Sequence, residues 1–252
     1  MDINSNSLKE ALMPKLIDIK NSKPKLSITN KSEKVSEILL YGAIGESFFE
    51  DSISAKMFAE ELKKLPASVK EIQLRVNSPG GSVFDGMTIY EKLKAEKKNG
   101  RKIVAYVDGL AASIASIIIM AADEVIVGDG SMVMIHKPMV GTMGNSNDLE
   151  RMINILDKIE EQMISIYATK TGMSRLEISK ALAEETWYTS EEAVSNGLAD
   201  SKFKAEDTLR LAASAMEKCN WMKNKPSIKS QNDLVREKLR EFNNKAKQFT
   251  KK

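Results

Sequence analysis

The chain has 252 residues, of which 42% are hydrophobic and 29% charged, a balance that excludes fibrous and wholly disordered classes. Its longest apolar run, residues 110–122, is shorter than the roughly 18 to 20 residues that span a bilayer. The N-terminus also lacks the pattern of a secretory signal, so a cytoplasmic location is predicted. A single cysteine, Cys219, excludes an intramolecular disulfide and a cysteine-based zinc site.

Net charge divides the chain into three parts: +3 for residues 1–36, −8 for residues 37–200 and +8 for residues 201–252. The first part is polar and lysine-rich and predicts a loose N-terminal arm. The last part predicts a basic, partly helical C-terminal extension with amphipathic segments at 207–218 and 232–249. This extension lacks interleaved aromatic residues, so nucleic-acid binding is not favoured. Residues 37–200 are therefore predicted to form the folded domain.

Strand and helix patterns alternate along this domain. Predicted strands lie at 37–44, 71–76, 102–107, 124–128 and 132–136. Predicted helices lie at 54–65, 82–98, 110–122, 147–170, 173–185 and 190–197. The helix at 147–170 is the longest and carries apolar residues at helical spacing. Repeated β-α units of this kind predict an α/β fold with a mainly parallel sheet covered by helices.

The first chemically suggestive segment is "NSPGGS", residues 77–82, at the end of a predicted strand. Pro79 fixes a turn, and Gly80 and Gly81 leave backbone N–H groups unobstructed before a helix that Ser82 and Asp85 could cap. Such a group of donors can bind an oxyanion. The alternative interpretation is an ordinary Gly-Gly turn.

The second segment is "GLAASIAS", residues 109–116, which follows another strand. It predicts Ser113 at a helix N-terminus, where free N–H groups and the helix dipole favour a developing negative charge. The hydroxyl becomes a nucleophile only if a base is nearby. The alternative is that Ser113 caps the helix. Ser116, one turn later, is interpreted as a small packing residue.

The third segment is "VMIHKP", which contains His136, the only histidine of the chain. It lies at the end of a buried strand, and Pro138 stops further pairing there. If the chemistry needs an imidazole base, that base is His136.

These three segments, in this order and at this separation, resemble ClpP, the proteolytic subunit of the Clp protease, over residues 37–200. The resemblance implies an α/β fold of the ClpP/crotonase type with a protruding long "handle" helix. It also implies that Ser113 is the nucleophile, His136 the base, and the N–H groups of Gly81 and Ile114 the oxyanion hole. No metal and no organic cofactor are expected.

The third catalytic position departs from the pattern of the family. Aligning "TSEEAVSNGLAD" with the end of the family domain places the expected aspartate on Glu185. A glutamate can still accept the imidazole Nδ1–H and hold its tautomer. A solvated carboxylate at a helix end is the alternative, and Glu184 is a neighbouring candidate.

The resemblance further implies that substrate binds as an added strand along the segment after the histidine and beside the glycine loop. The predicted substrate-binding residues are Gly80, Ser82, Met139, Val140, Gly141 and Thr142. The resemblance also implies self-assembly into heptameric rings that stack through the handle helix. Both chain ends depart from the family: residues 1–36 do not match its N-terminal segment, and 52 residues follow Asp200.

The chain is predicted to be a serine endopeptidase. Its predicted partners are polypeptide substrates, and no association with a membrane is expected. Extended chains of this type are similar to phage and prophage capsid-maturation proteases, which process head proteins. The alternatives are a proteolytic subunit working with an AAA+ unfoldase and a catalytically inert assembly protein. Acyl-CoA chemistry of the crotonase type is disfavoured, because it would not use Ser113 and His136 together in catalysis.

Overall fold

A sheet of eight strands forms the centre of the computed structural model, which describes residues 25–45 and 52–203. The strands are β1 (Lys25–Asn30), β2 (Val35–Tyr41), β3 (Glu71–Ser78), β4 (Lys102–Ala112), β5 (Glu124–Gly128), β6 (Met132–Ile135), β7 (Thr186–Thr189) and β8 (Ser201–Phe203). Their order is β1-β2-β3-β4-β5-β8, and β6 and β7 branch from β4. Several predictions concern residues outside the described ranges: the N-terminal arm over 1–24, the amphipathic segments at 207–218 and 232–249, and Cys219.

Six helices connect the strands within the described residues. They are α1 (Ala55–Lys63), α2 (Val83–Lys98), α3 (Ile114–Ile119), α4 (Ser146–Thr171), α5 (Arg175–Ala183) and α6 (Ser190–Ser195). The strands from β2 to β5 pair in parallel, so the predicted α/β class is confirmed. The long helix α4 begins with a capping box formed by Asn145 and Asp148 and ends at Gly172, whose φ is 75°. In the part of the chain that the structure describes, no helix is long and apolar enough to cross a bilayer.

The sheet extends beyond both predicted boundaries of the folded domain. β1 falls within the predicted arm and pairs antiparallel with β2. Leu26 and Ile28 pack against the hydrophobic core, and burial of these two apolar side chains stabilises the pairing of this otherwise polar segment with the sheet. At the other boundary β8 pairs with β5.

Strand β4 belongs to two parts of the sheet. Its first half pairs with β5, Val104 opposite Glu124, and its second half pairs with β6, Leu110 opposite Met132. A register shift against β3 lies between these halves. The predicted helix at 110–122 is therefore wrong at its start, because residues up to Ala112 are held in the sheet and α3 begins only at Ile114.

Hydrogen bonds to the carboxylate of Asp108 connect the three neighbouring strands β2, β3 and β4. Arg75 on β3 forms two hydrogen bonds with the carboxylate of Asp108 on β4, including one from Nε at 2.8 Å. The hydroxyl of Tyr41 on β2 donates to the same carboxylate at 2.6 Å. The side chain of Asp108 is only 1% exposed, so its charge depends on these donors.

The Asp108→Ala variant is expected to lower the free energy of unfolding by about 2–3 kcal/mol, because it leaves Arg75 without its partner. Lys102 and Glu124 form a matched exposed pair between β4 and β5, at 3.1 Å. The control Glu124→Ala should cost less than about 1 kcal/mol. Denaturant unfolding measures both variants, and equal losses would contradict the bracing role.

Candidate active site

Ser113 lies at the junction between β4 and α3. Its φ is 55° and its ψ is −127°, a conformation that residues other than glycine seldom adopt. Ser113 occupies the N-cap position of α3, but its side chain makes no capping hydrogen bond, so the alternative in which its hydroxyl caps the helix is wrong. The hydroxyl Oγ lies instead 2.7 Å from Nε2 of His136. Because α3 has only six residues, individual N–H groups rather than a long helix dipole act at this position.

His136 directly follows β6, the strand that pairs with the second half of β4. That pairing sets Ala112 beside Met134, and the N–H of Ser113 donates to the Met134 carbonyl at 2.9 Å. The two side chains therefore meet where neighbouring parallel strands end. Burial lowers the pKa of His136 below its usual value, and the charge of Glu185 opposes this shift. The imidazole is thus predominantly neutral near pH 7 and able to accept a proton.

Glu185 lies in the turn before β7, which pairs antiparallel with β6. Ile135 is opposite Thr186 in that antiparallel pairing, so the residue after Ile135, which is His136, lies beside the residue before Thr186, which is Glu185. The φ of Glu185 is 51°, and one oxygen of its carboxylate accepts a hydrogen bond from the indole N–H of Trp187 at 3.3 Å. The neighbouring candidate, Glu184, is 4.0 Å from Lys180 in an exposed pair. The register therefore favours Glu185 over Glu184 as the carboxylate near His136.

The Gly80–Gly81 loop lies directly against Ser113. A Cβ on Gly80 would be 2.7 Å from Cβ of Ser113, and one on Gly81 would be 2.0 Å from the Ile44 carbonyl oxygen. Two backbone bonds hold the loop: the Ile44 N–H donates to Gly80 at 2.9 Å, and the Ser82 N–H donates to Ile44 at 2.7 Å. Only glycine fits both the space and the φ values of 88° and 146°.

Two backbone donors remain available beside the Ser113 hydroxyl. Among the residues that the structure describes, the N–H groups of Gly81 and Ile114 donate to no protein acceptor. Ser82, in contrast, is occupied as the cap of α2: its hydroxyl accepts from the Asp85 N–H and donates to the Asp85 carboxylate. The predicted capping of this helix is confirmed.

A cleft opens in front of Ser113. Its lining residues are Gly81, Val83, Ser113, Ile114, His136, Pro138, Met139 and Met163. Met139 is thus the one residue of the predicted substrate segment 139–142 that lines the cleft, and 140–142 continue as exposed, irregular backbone. Within residues 25–45 and 52–203, no group of three or more His, Cys, Asp or Glu side chains could hold a metal ion.

The sequence interpretation missed two residues behind Ser113, namely Ser116 and Tyr167. Ser116 was expected only to fill space, but its hydroxyl donates to the Ser113 carbonyl at 2.5 Å. It also lies 2.7 Å from the hydroxyl of Tyr167, on α4. A serine in the otherwise apolar "IASIII" segment is the signal that could have indicated a polar role.

Comparisons with known proteins match the chain to one family. A family model described as Clp protease matches residues 20–205. The ATP-dependent Clp protease proteolytic subunit 1 of Chlamydia abortus is 32% identical over 162 residues, which are 61% of this chain and 83% of the relative. The protein of the same name from Protochlamydia amoebophila is 30% identical over 202 residues, 76% of this chain and 93% of the relative. A solved structure, a ClpP1 mutant from Listeria monocytogenes, matches with a TM-score of 0.58 at 24% identity, covering 69% of this chain and 94% of the other.

Proposed function

The chain belongs to the Clp protease family and is a ClpP-like serine endopeptidase, and from this premise we propose that Ser113, His136 and Glu185 are its catalytic residues. The observation that carries the proposal is the 2.7 Å contact between the Ser113 hydroxyl and Nε2 of His136 beside two available backbone donors. A nucleophile in contact with a base that is itself oriented by a third group is the arrangement that acyl transfer requires.

In the proposed reaction, Ser113 Oγ attacks the carbonyl carbon of the scissile peptide bond while Nε2 of His136 takes its proton. The N–H groups of Gly81 and Ile114 stabilise the oxyanion of the tetrahedral intermediate. The intermediate collapses when His136 gives the proton to the leaving nitrogen, which breaks the C–N bond and leaves an ester on Ser113. Water, deprotonated by His136, then hydrolyses this ester by the same sequence of steps.

Glu185 is proposed to orient His136. Its position beside His136 in the β6–β7 register and the effect of its charge on the pKa of His136 both support this role. A carboxylate near Nδ1 keeps the proton on that nitrogen, so that Nε2 faces Ser113 as an acceptor. The carboxylate also stabilises the imidazolium formed during attack.

The pH dependence of kcat/KM tests the assignments of His136 and Glu185 together. Because the base must be neutral, activity is expected above the pKa of His136 and should fall as the pH decreases through it, with a midpoint below the usual pKa of a histidine side chain. Glu185→Gln removes the charge that raises this pKa, so the midpoint should move to lower pH. The rate above the midpoint should fall by up to about 10⁴-fold. Glu184→Gln is the control, and a midpoint that Glu185→Gln does not move would contradict the role of Glu185.

The proposed substrate is a polypeptide bound in extended form. Its backbone would pair with the segment of Met139, Val140, Gly141 and Thr142 and lie beside Gly80 and Ser82. Exposure of residues 139–142 supports this, since their backbone groups face no other part of the described chain as a strand partner. Recognition through main-chain bonds predicts broad tolerance of substrate sequence.

A fluorophosphonate probe tests the chemistry directly. Wild-type protein should form an adduct on Ser113, located by peptide mass spectrometry, and His136→Ala should abolish it. Labelling is compared in each oligomeric fraction separately. No adduct on Ser113 in any fraction would overturn the proposal, as would an adduct that persists without His136.

We also propose a ring-shaped oligomer, heptameric and stacked through α4. The first half of α4 protrudes with exposed apolar side chains, including Leu149, Ile153 and Ile155, which support a contact with another copy of the chain. Sedimentation velocity measures the assembly, and Ile153→Asp should reduce its size. An assembly of unchanged size would contradict the contact.

The biological role proposed for this peptidase is the processing of phage or prophage head proteins. ATP-dependent degradation with an AAA+ partner is the second candidate, and the names of the relatives from Chlamydia abortus and Protochlamydia amoebophila favour it. The two roles differ in one measurement: the cleavage of a folded protein with and without a purified Clp ATPase. Strict dependence on the ATPase would overturn the capsid role, and limited cleavage of head protein without ATP would support it.

A further inference from the structure

A buried chain of hydroxyl groups connects α4 to the backbone of the nucleophile. The Ser116 hydroxyl lies 2.5 Å from the Ser113 carbonyl oxygen and 2.7 Å from the Tyr167 hydroxyl. Ser116 and Tyr167 are both 0% exposed. Neither residue lines the cleft, so neither contacts the substrate directly.

The direction of each hydrogen bond follows from the acceptor at one end. A carbonyl oxygen only accepts, so the single proton of the Ser116 hydroxyl is donated to Ser113. Tyr167 must therefore donate to Ser116. Burial raises the pKa of the Tyr167 phenol, so the phenol keeps the proton that this direction needs. The N–H of Ser116 adds a second bond to the same carbonyl at 3.0 Å.

This carbonyl belongs to the peptide group that joins Ser113 to Ile114. In a trans peptide the C=O and N–H bonds point in opposite directions, so fixing the carbonyl also fixes the N–H of Ile114. The carbonyl is held by two donors from Ser116, and Ile114, which carries the N–H on the other side, lines the cleft. The ψ of −127° at Ser113 is the torsion that sets this orientation, within a strained conformation that needs external support.

We propose that Ser116 and Tyr167 are positioning residues that hold the Ser113–Ile114 peptide so that the Ile114 N–H points at the oxyanion. This inference rests on the proposed function, because it assigns the Ile114 N–H to the oxyanion hole. Neither hydroxyl touches reacting atoms, and both act through the backbone of Ser113. Such preorganised donors contribute mainly to the transition state.

The chain supplies a closely matched control for the serine. Ser131 donates to the Gly128 carbonyl through its hydroxyl at 2.8 Å and through its N–H at 2.9 Å, the same pattern three residues apart. It is 2% exposed and does not line the cleft. Ser131→Ala therefore removes an equivalent buried bond away from the nucleophile.

The test compares Tyr167→Phe, Ser116→Ala and the double variant with wild type and Ser131→Ala. Ser116→Ala leaves the Tyr167 hydroxyl buried without its partner, and its Tm should fall by about 5 °C. The double variant removes both hydroxyls, so its Tm should recover most of that loss. Its kcat should nevertheless stay about tenfold below wild type with KM changed less than about twofold. Tyr167→Phe should lower kcat by about threefold, and Ser131→Ala should leave kcat unchanged.

Binding of a peptide aldehyde gives a second measurement, because its tetrahedral adduct on Ser113 needs the oxyanion donors. Its inhibition constant should weaken in the double variant by the same factor as kcat. A double variant with wild-type kcat and wild-type aldehyde affinity would overturn the positioning role. The absence of any wild-type adduct with a fluorophosphonate probe would instead overturn the proposed function, so the two failures are distinguishable.

Discussion

The Ser113→Ala variant is expected to cleave a fluorogenic peptide at least about 10⁴-fold more slowly than wild type, because no other hydroxyl is in contact with His136 among the described residues. Its far-ultraviolet circular dichroism should be unchanged, since the substitution removes one atom at the edge of a cleft. Any remaining turnover would then come from the proposed oxyanion donors and substrate binding alone.

The comparison with His136→Ala makes this expectation sharper. Residues that act as one unit give losses that do not add, so the double variant Ser113→Ala/His136→Ala should be no slower than either single variant. Ser131→Ala is the control for loss of a serine hydroxyl. Additive losses would show that Ser113 and His136 act independently, which contradicts the proposed mechanism.

The Gly81→Ala variant is expected to lose both activity and stability. A methyl group there would be 2.0 Å from the Ile44 carbonyl oxygen, so the loop must move and carry the Gly81 N–H away from Ser113. Loss of one oxyanion donor lowers kcat by about 10²- to 10³-fold. Backbone strain at a φ of 146° should further lower the free energy of unfolding.

Gly100 provides the matched control, because an added Cβ there would strain the backbone without contacting a neighbouring atom. Its φ is 84°, and a Cβ there meets nothing within 4 Å. Gly100→Ala should cost about 1–2 kcal/mol of unfolding free energy and leave kcat unchanged. If Gly81→Ala behaved like Gly100→Ala in both measurements, the close packing of the glycine loop would have no catalytic consequence.

Local patterns predicted most of the fold, and they failed where pairing with another strand decides the structure of a segment. Residues 109–112 are small and apolar and suit a helix as well as a strand, and only β6 decides between them. β1 was missed because "KLSITN" carries few apolar residues, and its place depends on pairing with β2.

The same limit applies to the site. The glycine loop, Ser113 and His136 each follow a predicted strand, and the three segments together resemble one family, so the sequence indicated them before any distance was known. Ser116 and Tyr167 are 51 residues apart and gain a role only when α4 packs behind α3. No local period or turn signal reports such a contact between two buried hydroxyls.

The division of β4 between two parts of the sheet has a consequence for how the enzyme is inactivated. Its amide groups are hydrogen-bonded to β3, β5 and β6, so they should be among the slowest in the domain to exchange with deuterium. Ser113 directly follows this strand and bonds to β6. Heating should therefore abolish catalysis only when the cooperative unit that contains β4 opens, and the exchange of its amides would report the opening that limits the lifetime of the active enzyme.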